Sequence, residues 1–286
     1  MTRVDQFESV FRSAARTVFE PKSIEIESVL VVCDRDGSAA EEFAARSRSF
    51  LDVLDKRENL HWTTVQGGEF RTVPDLLDRV ETAHPGLICT HRHLHSESWR
   101  WPYTLGEYVD VLTQATTTPV LVIPHPERPE FQQLAGRRPQ AVMAMTNHLT
   151  GDHRLVNYAG HFTEPEGRLL LGHVEDDADF ERYMEAISKI STINTDMARA
   201  EIHARLLKDP EDYINSCREG LARSAPGLTV EAMVTSGHHI RTYRRLIEEH
   251  EVDLLVMNTK DEDQLAMHGL AYSLAIELRA IPLLML

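Results

Sequence analysis

Two stretches of this chain end alike, and the likeness limits what the chain can fold into. In the first, Gly106 opens a helix-length segment, and Pro119 follows thirteen residues later at the head of Val120-Leu121-Val122-Ile123. In the second, Gly269 and Pro282 also stand thirteen residues apart, and the run is Leu283-Leu284-Met285-Leu286. The distance between the two is far longer than a solenoid period, so it points to duplicated domains. A helix leading into a short, fully apolar strand is a unit of parallel α/β structure, whose strands are covered on both faces. The chain reads as two copies of one α/β unit, each finishing on its last strand.

At 286 residues there is room for two domains, each with its own core. The apolar and charged fractions, 42% and 26%, are those of a globular protein. No apolar stretch approaches the ~20 residues that span a bilayer, and the start lacks a signal-peptide pattern, so the expected location is cytoplasmic. A formal charge of −15 weighs against nucleic acid or a membrane surface as partner, since both need concentrated Lys and Arg. The segment Asp5–Phe19 sets Phe7, Val10, Phe11, Ala14, Ala15 and Val18 on one helical face, as a packing helix does. Cys33, Cys89 and Cys217 lack metal-type spacing and read as reduced thiols, the first two in or beside apolar strands.

Strands are expected at Val29–Cys33, His61–Val65, Leu87–Thr90 and Pro119–Ile123, with helices from Ala39 and Val73 between them. The second copy offers Ala141–Met145, Leu169–Val174, Leu228–Val234, Asp253–Met257 and Pro282–Leu286. Helices are expected over Asp177–Ser224, Ile240–His250 and Leu270–Ala280. Nothing in the first half matches Leu169–Val174 and its following helix, so the first half reads as lacking one βα unit. The expected division is a lead-in over 1–24, a reduced domain over 25–126, a linker over 127–139 and a full domain over 140–286. The fold class is α/β, each domain a mainly parallel open sheet flanked by helices.

In Asp253–Met257, the long gap to Gly269 and the closing Ile281-Pro282-Leu283-Leu284-Met285, the chain resembles the universal stress protein family in its tandem form. Val31-Val32-Cys33-Asp34 is similar to that family's first strand with its terminal aspartate. The resemblance implies domains paired through their last strands as an intramolecular pseudo-dimer, with a homodimer as further assembly. It also implies ligand contacts at Asp34, Thr90, His91, Arg92, Gly106, Val174, Asn258, Thr259 and Gly269. Nucleotide binders of the family use a loop of the form Gly-x2-Gly-x9-Gly-Ser/Thr, whose glycines let backbone N–H groups approach phosphate. Here Asn258 and Asp261 stand at the first two glycines of the second half, and Leu270 replaces the hydroxyl residue. Lys260-Asp261-Glu262-Asp263 sets three carboxylates where a triphosphate would lie, and Thr146 stands near the place of the first-strand aspartate. In the first half Thr90-His91-Arg92-His93 replaces the glycines and Glu107 the serine. Tight ATP binding is not expected of either loop.

Outside the resemblance, His91, His93 and His95 would share one face if their segment were extended, a metal- or anion-binding arrangement. Trp99-Arg100-Trp101-Pro102-Tyr103 reads as a cap over the emptied pocket, and His238-His239 as a turn and helix cap. There is no P-loop, HExxH or nucleophile elbow. The expected function is a non-enzymatic binding or signalling protein acting through protein partners or a small ligand, with no metal and no cofactor. The alternatives are a weak ATP or AMP binder or slow ATPase using Asp34, Arg92 and Gly106, and a histidine-loop sensor of pH or anions.

Overall fold

The apolar runs become strands, and helices crossing over either face lay them parallel. A computed structural model describes residues 17–54, 60–101, 103–146, 149–259 and 269–286. The first half comprises β1 (Ser28–Val32), α1 (Ser38–Phe50), β2 (His61–Val65), α2 (Val73–Ala83), β3 (Leu87–His91), α3 (Glu107–Ala115) and β4 (Val120–Ile123). A short helix, α4 (Pro129–Gln133), leads into the second half. There β5 (Ala141–Met145), α5 (His153–Phe162), β6 (Arg168–Asp176), α6 (Asp177–Ser188), α7 (Thr195–Ser224) and β7 (Thr229–Gly237) come first. They are followed by α8 (His239–Glu249), β8 (Leu254–Met257), α9 (Gly269–Glu277) and β9 (Leu283–Met285).

All the strands join one nine-stranded sheet in the order β2-β1-β3-β4-β9-β8-β5-β6-β7. Its pairings are parallel except β4 with β9, which run antiparallel with Leu121 opposite Leu284. Pro119 and Pro282 sit just before these two strands, where no N–H is required of them. Each instead offers its carbonyl to the next strand, to the N–H of Ile88 at 3.0 Å and of Leu255 at 3.1 Å.

Alternation along the strands splits the core between the two faces of the sheet. Val29, Val31, Cys33 and Cys89 pack with Phe43 and Phe50 of α1, Phe131 of α4, Phe162 of α5 and Tyr213 of α7. Leu30, Val32 and Ile88 face the other way, against α2, α3, α8 and α9. The expected linker is itself part of this packing: Phe131 stacks on Phe43 at 5.6 Å and Leu134 is buried. Of the expected N-terminal helix, residues 1–16 lie outside the described residues. Residues 17–27 form no helix or strand, and Val18 is exposed. Phe19 is buried edge-on against Tyr213, so the lead-in to the first half is strapped across the second.

The missing unit is not the one expected. β2 flanks β1 as β6 flanks β5, while β3 and β8 lie on the other sides of β1 and β5. His61–Val65 is therefore the counterpart of β6, and what the first half lacks is β7 with α6 and α7. β2 is an edge strand of alternating exposure and β6 a mostly buried inner strand, so the two look unlike in sequence. Helix α5 also went unread. Asp152 caps it by accepting the Leu155 N–H at 3.0 Å, and Leu155, Val156, Ala159 and Phe162 form its buried stripe. The long helical region expected over Asp177–Ser224 is two helices, the second capped by Asn194.

Candidate functional site

Parallel pairing sets the carboxyl ends of β1, β3 and β4 side by side. Val31 pairs with Cys89, and His91 with Ile123. Two residues further along, alternation returns each chain to the same face. Cys33, His91 and His125 thereby form a row across three strand ends, on the side covered by Phe43. Asp34 turns back into that row. Its Oδ1 lies 3.1 Å from His91 Nε2, and its Oδ2 accepts the His95 N–H at 2.9 Å. Ligand atoms of Cys33, Asp34 and His91 all lie within 4.8 Å of one another.

The electrostatics of the cluster follow from burial and pairing. Burial alone would raise the Asp34 carboxyl. The bond and charge of His91, the His95 N–H and Arg35 outweigh it and hold that carboxyl far below the usual range. Burial pushes the Cys33 thiol up to about 12, so as a free thiol it is protonated at neutral pH and no nucleophile. His125 is lowered to about 3, first by burial and then by the charge of His91. Its Nδ1 accepts the Glu127 N–H at 3.2 Å, and Trp99 stacks on its ring at 4.9 Å. Both nitrogens of His91 face oxygen acceptors, Nε2 the Asp34 carboxylate and Nδ1 the Arg92 carbonyl at 2.9 Å.

The three histidines of the loop do not share a face. His93 and His95 take left-handed backbone conformations, with φ of 57° and 55°, so the segment coils instead of extending. His91 points to Asp34, while the His95 ring packs on Phe70 at 4.7 Å and Tyr108 at 5.7 Å. His93 is buried against the N-terminal end of α3 and donates its N–H to Leu105 O at 2.9 Å. A Cβ on Gly106, which sits at φ 96°, would stand 2.7 Å from His93 Cα. Glycine is required there because the loop lies against it. Burial and then Arg92 lower His93 to about 4. Thr90 is buried at the end of β3, its hydroxyl without a hydrogen-bond partner among the described residues.

Arg92 serves the other half. Its guanidinium is buried and donates to the carbonyls of Ala275 and, at 2.6 Å, Leu278, at the C-terminal end of α9. A cation there complements the helix dipole and satisfies carbonyls that the helix leaves open. Burial first, then Arg279 and Arg128, lower it to about 9. Of the aromatic run, Trp99 covers the histidine cluster, while Trp101 and Tyr103 are 53% and 74% exposed. Pro102 lies outside the described residues.

In the second half the corresponding loop is tied down differently. Asn258 donates to Asp152 Oδ2 at 2.6 Å, and Thr259 Oγ1 to Leu286 O at 2.7 Å. Gly269 opens α9, and among the described residues no atom lies within 4 Å of a Cβ placed there. The pairings of Val31 with Cys89 and of Ala144 with Val256 make Thr146 the counterpart of Cys33. Asn147, the counterpart of Asp34, lies outside the described residues, as do Lys260, Asp261, Glu262 and Asp263. Val174 is buried at the end of β6, its carbonyl accepting from His239 Nε2 at 2.7 Å. It lines a cleft of about 580 Å³ that also presents His173, Glu175, Asp176, Asp179 and Asp209. A larger cavity, about 980 Å³, opens beside Ala141, Arg168 and Asp253 at the amino ends of the strands. Ligands of open α/β sheets bind at the carboxyl ends, so the strand-end clusters are the candidates.

The structure thus brings Asp34 and His91 into contact, sends Arg92 to the end of α9 and sets His93 against Gly106, while Val174, Asn258, Thr259 and Gly269 belong to the other half. The sequence reading missed Cys33 and His125 as members of the first cluster. The signal was present in the strand period: each lies two residues beyond a paired position on the same face as His91.

No family model matches the chain, and no curated protein does. Solved structures of similar fold include a universal stress protein from Archaeoglobus fulgidus DSM 4304, 13% identical over 92% of this chain and 88% of that one, with a TM-score of 0.48. A putative universal stress protein from Pseudomonas aeruginosa UCBPP-PA14 is 13% identical, covering 91% and 93%, also at 0.48. A functionally unknown protein, PA1789 from Pseudomonas aeruginosa PAO1, is 13% identical, covering 91% and 92%, at 0.47. At that distance the strand order and pairing of the chain itself carry the fold.

Proposed function

We propose that this chain is a binding and signalling protein of the universal stress type, two half-domains joined through their last strands, which does not hold ATP tightly. One observation carries the reading: the place for phosphate at the N-terminal end of α3 is taken by the chain's own loop. His93 lies against Gly106, closer than a Cβ would allow, and donates its N–H to Leu105 O. Of the loop's two arginines, Arg92 is committed to the C-terminal end of α9 and Arg100 pairs with Glu97. A phosphate needs an approachable glycine at such a helix end, and here the His93 backbone lies against Gly106 instead.

The cleft of the second half supports the same reading by charge. Four carboxylates, from Glu175, Asp176, Asp179 and Asp209, line it. Each has a nitrogen neighbour, from His173, His239, Arg182 and Arg205 in turn, and the last two do not line the cleft. A cleft whose lining has four acids and no lysine or arginine is a poor seat for a polyphosphate. The resemblance to stress proteins supports the functional class, and the two crevices weigh against a nucleotide as its ligand. Native mass spectrometry of the purified chain with millimolar ATP tests this. The expected spectrum shows apo-protein, and stoichiometric retention of nucleotide contradicts the reading.

A further inference from the structure

The cluster at the ends of β1 and β3, whose Asp34 and His91 the family resemblance places among ligand contacts, also has the parts of a metal site. Three ligand types converge: the Cys33 sulfur, the Asp34 carboxylate and His91 Nε2, all within 4.8 Å of one another. Cys33 and His91 are fully buried, and the Asp34 side chain, 11% exposed, is the side open to solvent. We propose that Cys33, Asp34 and His91 bind one divalent transition-metal ion of zinc type, with a fourth position open toward solvent beside Asp34.

Three features argue for it. The first is the pairing of His91. Its two nitrogens face a carbonyl and a carboxylate, both acceptors, and a metal ion between Nε2 and Asp34 completes that pairing. The second is the shell behind the ligands. A metal-bound histidine usually gives its other N–H to a backbone carbonyl or carboxylate, and bound carboxylates are themselves hydrogen-bonded. Here His91 Nδ1 is 2.9 Å from Arg92 O, and Asp34 Oδ2 accepts the His95 N–H at 2.9 Å. The Cys33 sulfur accepts the Arg35 N–H at 3.3 Å. Each ligand is thus oriented by a second contact.

The third is ligand chemistry. Sulfur with nitrogen and one oxygen selects zinc-like ions over magnesium or calcium, and three protein ligands leave the open position seen in non-structural zinc sites. Arg35 Nε, 3.4 Å from Asp34 Oδ1, is the competing cation, and its guanidinium has an alternative anchor in Glu127 at 2.6 Å.

The second half lacks the set, with Thr146 and Asn258 in place of Cys33 and His91. The prediction is therefore one ion per chain. The test is titration of the reduced, chelator-treated full chain with Co²⁺, reading the thiolate-to-cobalt charge-transfer band, followed by displacement with Zn²⁺. The expected result is a band saturating at one equivalent and bleached by Zn²⁺ but not by Mg²⁺. It is lost in Cys33→Ser, weakened at least about tenfold in affinity in Asp34→Asn, and kept in Cys89→Ser, whose sulfur lies in the core. Circular dichroism checks folding of each variant, and if Cys33→Ser does not fold, Asp34→Asn decides. No band in the wild-type chain, a band that survives Cys33→Ser, or unchanged affinity in Asp34→Asn overturns the proposal.

Discussion

The two halves of this sheet carry equivalent loops at equivalent places, and they are secured in different ways. After β3, the loop of the first half coils through two left-handed histidines, packs on Gly106 and sends Arg92 into the second half. After β8, Asn258 and Thr259 hold their loop by two short bonds, to Asp152 and to the Leu286 carbonyl, while Gly269 stands clear of the other described residues. The lesson is that equivalent loops can be secured by different means. In the first half buried polar groups back the loop, need partners and so bring in a cluster. In the second the described part of the loop is simply tied to the sheet edge.

The sharpest way to break this comparison is to place the same substitution in both halves. Gly106→Ala forces a Cβ into His93 at positive φ and is expected to cost about 3 kcal/mol in urea unfolding. Gly269→Ala meets nothing and is expected to be neutral or stabilising by up to about 1 kcal/mol. Equal effects would mean that the first loop does not lie where it is described. Next in size is the pair at the loops' other anchors. Arg92→Ala strips the end of α9 of its donor and is expected to cost about 2–3 kcal/mol, against about 1 kcal/mol for Thr259→Ala.

The smallest effect concerns Asp110, whose counterpart in the second half is Ser273. Burial raises the Asp110 carboxyl to about 6, and its Oδ1 has no partner among the described residues. A folded pKa above the unfolded one, ~4 for aspartate, favours the protonated folded state. That contribution is full below pH ~4 and is lost as pH rises through about 6. Asp110→Asn is therefore expected to stabilise by about 1 kcal/mol at pH 8 and not at pH 3.5, read from unfolding curves at the two pH values.

Much of the fold was legible because fully covered parallel strands announce themselves as apolar runs. Val29–Cys33, Ala141–Met145 and Asp253–Met257 are read within a residue or two of β1, β5 and β8. Edge strands are less explicit. β2 was seen as a strand but not as the partner of β6, because only one of its edges is paired and its side chains alternate in exposure. The candidate site was half legible. Asp34 and His91 stand out as polar residues at strand ends, but their neighbours depend on register, which a sequence does not print. Cys33, read as a core cysteine, is one, and its sulfur also lies within 4.8 Å of the His91 ligand nitrogen. The coil of the histidine loop depends on Gly106 lying opposite, a contact between backbones that no residue pattern reports.

The central claim is that neither half presents an open phosphate site, the first because its own loop occupies it. Glycine-selective ¹⁵N NMR reads both halves at once through the amides of Gly106 and Gly269. On addition of ATP with Mg²⁺ to millimolar concentration, both resonances are predicted to stay in place. A saturable shift of Gly106 would contradict the filled crevice of the first half, and one of Gly269 would contradict the reading of the second.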